Sequence, residues 1–139
     1  MRKLIIISAL LFGYFTQAQE IAGTTELQEL DLKKNRSEIF NDVEKPAEFS
    51  GGIIAFRKKF AKNFKKKNVI SKGIEKCELT FIIESDGTLT DIKASGTNKS
   101  FNIEALRAVS KIKNKWSPAT IDGQKVRFRY RLPLTMSFE

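Results

Sequence analysis

Apolar positions first recur at helical spacing after Ser50-Gly51-Gly52, where Ile53, Phe56, Phe60 and Phe64 stand three and four residues apart. That spacing gathers four large side chains on one side of a helix and leaves Arg57, Lys58, Lys59 and Lys62 on the other. From Lys76 to Glu84 the period changes to two. Cys77, Leu79, Phe81 and Ile83 alternate with Glu78, Thr80 and Glu84, interrupted only by Ile82, which predicts a half-buried strand. Asp86-Gly87 follows and a second run covers Thr88 to Ala94, so a tight hairpin is expected, because glycine accepts the positive φ such turns require. Ser100 is placed to cap a second helix, with Glu104 in its first turn and Lys111, Lys113 and Lys115 near its end, complementing the helix dipole. Ile103, Leu106, Val109, Ile112 and Trp116 are expected to line its buried side, and Pro118 to end it. After Asp122-Gly123 comes the longest strand, with Val126, Phe128, Tyr130, Leu132 and Leu134 on one face and Lys125, Arg127, Arg129 and Arg131 on the other.

The order helix, strand, hairpin strand, helix, long strand predicts an α+β fold: a two-layer sandwich in which a three-stranded antiparallel sheet carries two helices on one face. Residues 38–139 form this domain. At its start Ile39, Phe40 and Val43 precede Lys45-Pro46, an extended approach, because proline disfavours helix in the residue before it. Residues 19–37 are polar and mixed in charge. Leu27, Leu30 and Leu32 are too sparse to bury a face, so the segment reads as a flexible lead-in with room for one helical turn.

Residues 1–18 have a different plan. Arg2 and Lys3 are followed by the apolar run Leu4 to Phe15 and by Thr16-Gln17-Ala18, the order of a secretory signal peptide cleaved after Ala18. The run would span only ~18 Å as a helix, against ~30 Å of hydrocarbon, so export with cleavage is expected over the alternative, an uncleaved inner-membrane anchor.

Composition narrows the chemistry. The chain of 139 residues contains no histidine, which removes serine triads, cysteine–histidine dyads and imidazole-ligated metals. Cys77 is the single cysteine; it alternates with inward residues and reads as an inert core thiol, with no disulfide possible within the chain. Glu78, Glu84, Asp86 and Asp91 flank the hairpin, but nothing places two of them around a pocket. No catalytic, cofactor-binding or metal-binding residue is therefore expected, and the protein is not read as an enzyme. The net charge is +9, and loss of Arg2 and Lys3 with the leader leaves +7. No nucleic-acid motif accompanies this charge. It does support an alternative function, a cationic envelope protein that meets anionic lipid or lipopolysaccharide without a transport role.

Five motifs occur in order: Pro46-Ala47-Glu48-Phe49-Ser50-Gly51-Gly52, Phe81 to Gly87 ending in Ser-Asp-Gly, Glu104-Ala105-Leu106-Arg107, Trp116-Ser117-Pro118-Ala119, and Asp122 to Val126 running on to Leu132-Pro133-Leu134. In this series the chain resembles the TonB C-terminal domain family, in the version found in Bacteroidetes-type bacteria, here as a stand-alone exported member. The resemblance implies a periplasmic protein–protein interaction module associated with TonB-dependent outer-membrane transport. Its implied partner is an outer-membrane receptor or a related envelope assembly, captured as an added strand; a second copy of the chain is the other protein partner in view. Strand addition needs an open sheet edge. The final strand is the candidate, through Lys125, Val126, Arg127, Phe128, Arg129, Tyr130 and Arg131, whose basic members would attract an acidic segment. The prolines Pro46, Pro118 and Pro133 all fall inside the domain, so residues 19–37 do not form the proline-rich spacer of an energy-transducing arm.

Overall fold

A computed structural model of the chain describes residues 25–31, 33–34 and 37–139. The expected leader and its cleavage point lie outside the described residues. Residues 25–31 and 33–34 belong to a unit separate from the remainder; they are helical and exposed. That is more helix than the single turn their sparse leucines suggested.

The second unit, Ser37–Glu139, is built on strands β1 (Ile39–Phe40), β2 (Glu48–Phe49), β3 (Gly73–Ile83), β4 (Leu89–Gly96), β5 (Trp116–Ser117), β6 (Ala119–Ile121) and β7 (Gln124–Phe138), with helices α1 (Gly52–Asn63) and α2 (Lys99–Ser110). A 3₁₀ turn, Lys66–Asn68, follows α1. The main sheet has the order β1-β7-β3-β4, and β6 also pairs with β7; β2 and β5 form a small sheet of their own. The mixed α+β class agrees with the sequence pattern. The three-stranded sheet does not: β1 and β6 join the three long strands. Their two and three residues are too short to carry a period, and β7, at 15 residues, is long enough to hold several neighbours along its length.

Alternation decides which face of the sheet is covered. Leu79, Phe81 and Ile83 of β3 and Leu132 and Leu134 of β7 meet Phe56 and Phe60 of α1 and Phe101, Ala105, Ala108 and Val109 of α2 in one core. α1 buries the side its spacing predicted. Phe64 is buried as well, just beyond the helix end.

α2 differs from expectation in three ways. Its cap is Asn98, whose Oδ1 accepts from the Phe101 amide at 3.0 Å, while Ser100 sits within the first turn and donates to that same oxygen. Its buried face runs through Phe101, Glu104, Ala105, Ala108 and Val109, leaving Ile103 64% exposed and Leu106 half-buried. It ends at Ser110, well before Pro118, so Ile112 is buried from a loop and Trp116 from a strand. Glu104 lies in the second turn and not the first, and its burial accounts for the change of face.

Candidate functional site

The sheet has two outer borders, and they differ in kind. Along β4 the pairing with β3 shifts register between Thr80 and Ile82, and Asp91 takes a left-handed conformation with φ 48°. Gly96 gives its carbonyl to Asn102 Nδ2 at 2.9 Å, and Asp91 and Lys93 form an exposed ion pair. A bulge and charged side chains are the means by which sheets keep an edge from pairing with other chains.

The border of β7 opposite β3 is regular. β3 pairs with β7 without a break from Ile83↔Phe128 to Gly73↔Phe138. On the other side β1 runs parallel to β7 and reaches only Arg127 and Phe128. Before β3 takes over, Gln124 to Val126 pair with β6 in a hairpin. Among the described residues, no strand therefore pairs with Arg129–Phe138 on that side. Pro133 lies in the middle of this stretch, opposite Glu78. Proline has no amide to donate, and it is tolerated where that position would have faced away from the neighbouring strand. In an antiparallel ladder successive residues point their backbone groups to opposite sides. Arg129, Arg131, Thr135 and Ser137 then share the outward direction of Pro133. The Ser137 carbonyl behaves accordingly, accepting from Lys66 Nζ at 3.2 Å instead of from β3.

Of the seven residues expected at the site, Arg129, Tyr130 and Arg131 lie on the unpaired stretch. Lys125 and Val126 are in the ladder with β6, and Arg127 and Phe128 are in the ladder with β1. The unpaired border extends instead toward Leu132, Pro133, Leu134 and the residues beyond.

Side chains on the outer face are less freely cationic than the row of basic residues suggested. Arg127 donates through Nε to Glu84 Oε2 at 2.7 Å and through Nη1 to the Ser37 carbonyl at 3.0 Å. The guanidinium holds the Glu84 carboxyl below its ordinary range, with a further hydrogen bond from Thr90 in the same sense. Arg131 pairs with Glu78 at 3.1 Å. Among the described residues no carboxylate pairs with Arg129. The carboxylates that neutralise the other two arginines sit on or just beyond β3, and strand register brings them there.

A second cluster was missed by sequence reasoning. Glu104, 2% exposed, accepts from the Lys65 amide at 2.8 Å, from Asn68 Nδ2 at 2.8 Å and from Arg107 Nε at 3.0 Å. Arg107 Nη2 also donates to the Asn63 carbonyl. Charge-assisted bonds of this kind outweigh the desolvation of the carboxylate, and the Arg107 guanidinium above all lowers its pKa to about 2. The pair ties α2 to the end of α1 and to the 3₁₀ turn. The only clue in the sequence was the spacing of Glu104 and Arg107, which suits an i,i+3 pair.

Aromatic packing joins the remaining motifs. Phe49 of β2 makes edge contacts with Phe56 and Trp116, their ring centroids 5.3 Å apart in each case, and Phe81 stacks on Tyr130 at 5.4 Å. Cys77 is a free, buried thiol whose pKa burial raises. No group of metal-ligating side chains occurs among the described residues, and no described helix is long and apolar enough to cross a membrane.

Helices over one sheet face and a terminal strand paired on one side only along Arg129–Phe138 define a mixed α+β domain with a border suited to main-chain recognition. Residues 70–137 match the family model of the Gram-negative bacterial TonB protein C-terminal, which supports the resemblance to the TonB C-terminal domain family over this segment. The match takes in everything from β3 to the end of β7 but its last residue, and leaves Pro46 to Gly52 upstream. Domains of this family are non-enzymatic protein-interaction modules of the periplasm and envelope. No curated protein and no solved structure matches the chain.

Proposed function

We propose that this protein is a periplasmic interaction module, exported with cleavage after Ala18, that binds an extended segment of an outer-membrane TonB-dependent receptor, or of an envelope assembly linked to one. The segment adds to the sheet as a strand beside β7. Arg129, Tyr130 and Arg131 of the expected set stand on this border, and Lys125 to Phe128 mark the end where the chain's own strands begin. The observation that carries the reading is the run Arg129–Phe138, paired on one side only. Main-chain hydrogen bonds supply affinity in such an arrangement, and alternate side chains supply selectivity. Arg129, without an acidic neighbour among the described residues, favours a segment carrying a carboxylate near that end of the border. No catalytic group, metal or cofactor enters.

Titrating fluorescent peptides from receptor plug segments into the purified protein at low salt tests this. Binding is expected, weaker at higher salt, and lost when Thr135→Pro removes an outward amide while the circular dichroism spectrum is preserved. Failure of every such peptide to bind the folded protein at low salt would sink the proposal. Intact-mass analysis of the native protein tests export: the expected species begins at Gln19.

A further inference from the structure

Charge in the domain is segregated by layer. From Ser50 through Gly73 the chain carries eight basic residues and no acidic one. From Asn98 to Trp116 its single carboxylate is Glu104, buried and neutralised by Arg107. These two stretches hold both helices of the domain. Glu78, Glu84 and Asp91 lie on the sheet strands or just beyond them, where two of the three meet arginines of β7.

The two basic stretches are joined. Lys59 Nζ on α1 donates to Asn114 Oδ1 at 2.7 Å, which brings the loop bearing Lys113 and Lys115 against the lysine side of that helix. The Ile70 amide donates to Ser100 Oγ at 2.9 Å, and its carbonyl accepts from Asn98 Nδ2 at 3.0 Å, fixing the segment after the 3₁₀ turn beside the start of α2.

Three isoleucines stand exposed in the same layer: Ile54 at 68%, Ile70 at 86% and Ile103 at 64%. Ile54 lies one turn before Lys58 and two before Lys62 on α1, and Ile103 one turn after Lys99 on α2, so each shares a side with lysine. Solubility alone calls for the lysines and is worsened by the isoleucines. Cations around projecting apolar tips are the composition of a surface that meets a bilayer, where ammonium groups engage headgroup phosphates and the tips enter the acyl boundary.

We propose that the helical layer is a membrane-docking face that recognises the phosphates of anionic lipid headgroups, with Ile54, Ile70 and Ile103 inserted at shallow depth. This surface is distinct from the β7 border and does not depend on strand capture there. Lys66, which reaches the Ser137 carbonyl, stands where the two meet.

Co-sedimentation of the full chain with vesicles tests the proposal. Vesicles of phosphatidylcholine mixed with phosphatidylglycerol are compared with phosphatidylcholine alone, which sets the background for any binding by the apolar N-terminal run. The wild-type protein is expected to prefer the anionic vesicles, and added salt to abolish the preference. Lys58→Glu with Lys62→Glu should lower anionic-vesicle partitioning at least ~10-fold. Lys76→Glu with Lys93→Glu, the same charge change on the sheet, should lower it by less than ~3-fold. Ile54→Ser with Ile103→Ser should weaken binding and leave its salt dependence unchanged. Circular dichroism of each variant separates lost docking from lost fold. Equal partitioning of the wild type to both vesicle types overturns the proposal, as does an equal loss from the sheet-side variant. So does release by inorganic phosphate at an ionic strength where chloride has no effect, which would mark a free-anion site, or retention on duplex DNA that matches the vesicles at the same salt.

Discussion

The Trp116 amide donates to the carbonyl of Gly87 at 2.9 Å, joining the β3–β4 turn to β5 across 29 residues of sequence. Gly87 has φ +85°, and a Cβ there would stand 2.0 Å from the Trp116 carbonyl oxygen. Both the turn geometry and the close approach demand glycine. Gly123 has φ +75°, and a Cβ there would meet nothing within 4 Å, so only the turn demands glycine. Gly123→Ala should therefore cost about 1–2 kcal/mol, and Gly87→Ala distinctly more, about 3 kcal/mol or above, because backbone must move as well. Urea unfolding of the two variants measures the difference.

Acid stability should depend on Glu104. Its carboxyl titrates at about 2 in the folded protein, lowered from 4.5 mainly by the Arg107 guanidinium. A depressed carboxylate contributes stability that is fully present above its unfolded pKa and is lost as pH falls through the folded value. The protein should thus lose about 3 kcal/mol from this group between pH 4.5 and 2. Glu104→Gln should already be destabilised near neutrality and show a flatter profile across that interval. Thermal unfolding as a function of pH reads both.

Proline scanning of β7 should alternate. Thr135 points its amide outward and Met136 toward β3, so Thr135→Pro should leave the fold within about 1 kcal/mol of wild type, whereas Met136→Pro breaks a ladder bond and should cost about 3 kcal/mol or more. Equal costs would mean that the backbone direction assigned from Pro133 is wrong.

The two faces of α2 should respond oppositely. Phe101 is fully buried and Ile103 is 64% exposed. Phe101→Ala should cost about 3–5 kcal/mol, and Ile103→Lys should stay within about 0.5 kcal/mol. Denaturant midpoints suffice to tell them apart.

These contrasts show where the sequence was legible. Period-two alternation in β3 and β7 and the three-and-four spacing of Phe56, Phe60 and Phe64 were strong enough to place the long elements and their inward faces. Strands of two or three residues carry no period, so β1, β2, β5 and β6 arose only from long-range pairing. α2 was misread in phase because a carboxylate at a core position looks polar until its partners, Arg107 nearby and Lys65 and Asn68 far back in the chain, are in place. At the β7 border, the alternation of Arg127, Arg129 and Arg131 gave the outer face, but the acids that neutralise two of them come from across the sheet. Where along β7 the free stretch begins was equally hidden, since it is set by Ile39 and Phe40, some 90 residues earlier.

Pro133 has one more effect, on what the border refuses. If the free stretches of two copies of β7 met antiparallel about Pro133, each Pro133 would face the other, and both bonds of the central rung would be missing. Self-association is then weakened in the alignment that would pair most of the free stretch with its own copy. A foreign segment, free to choose its register and its own residue opposite the gap, is under no such handicap.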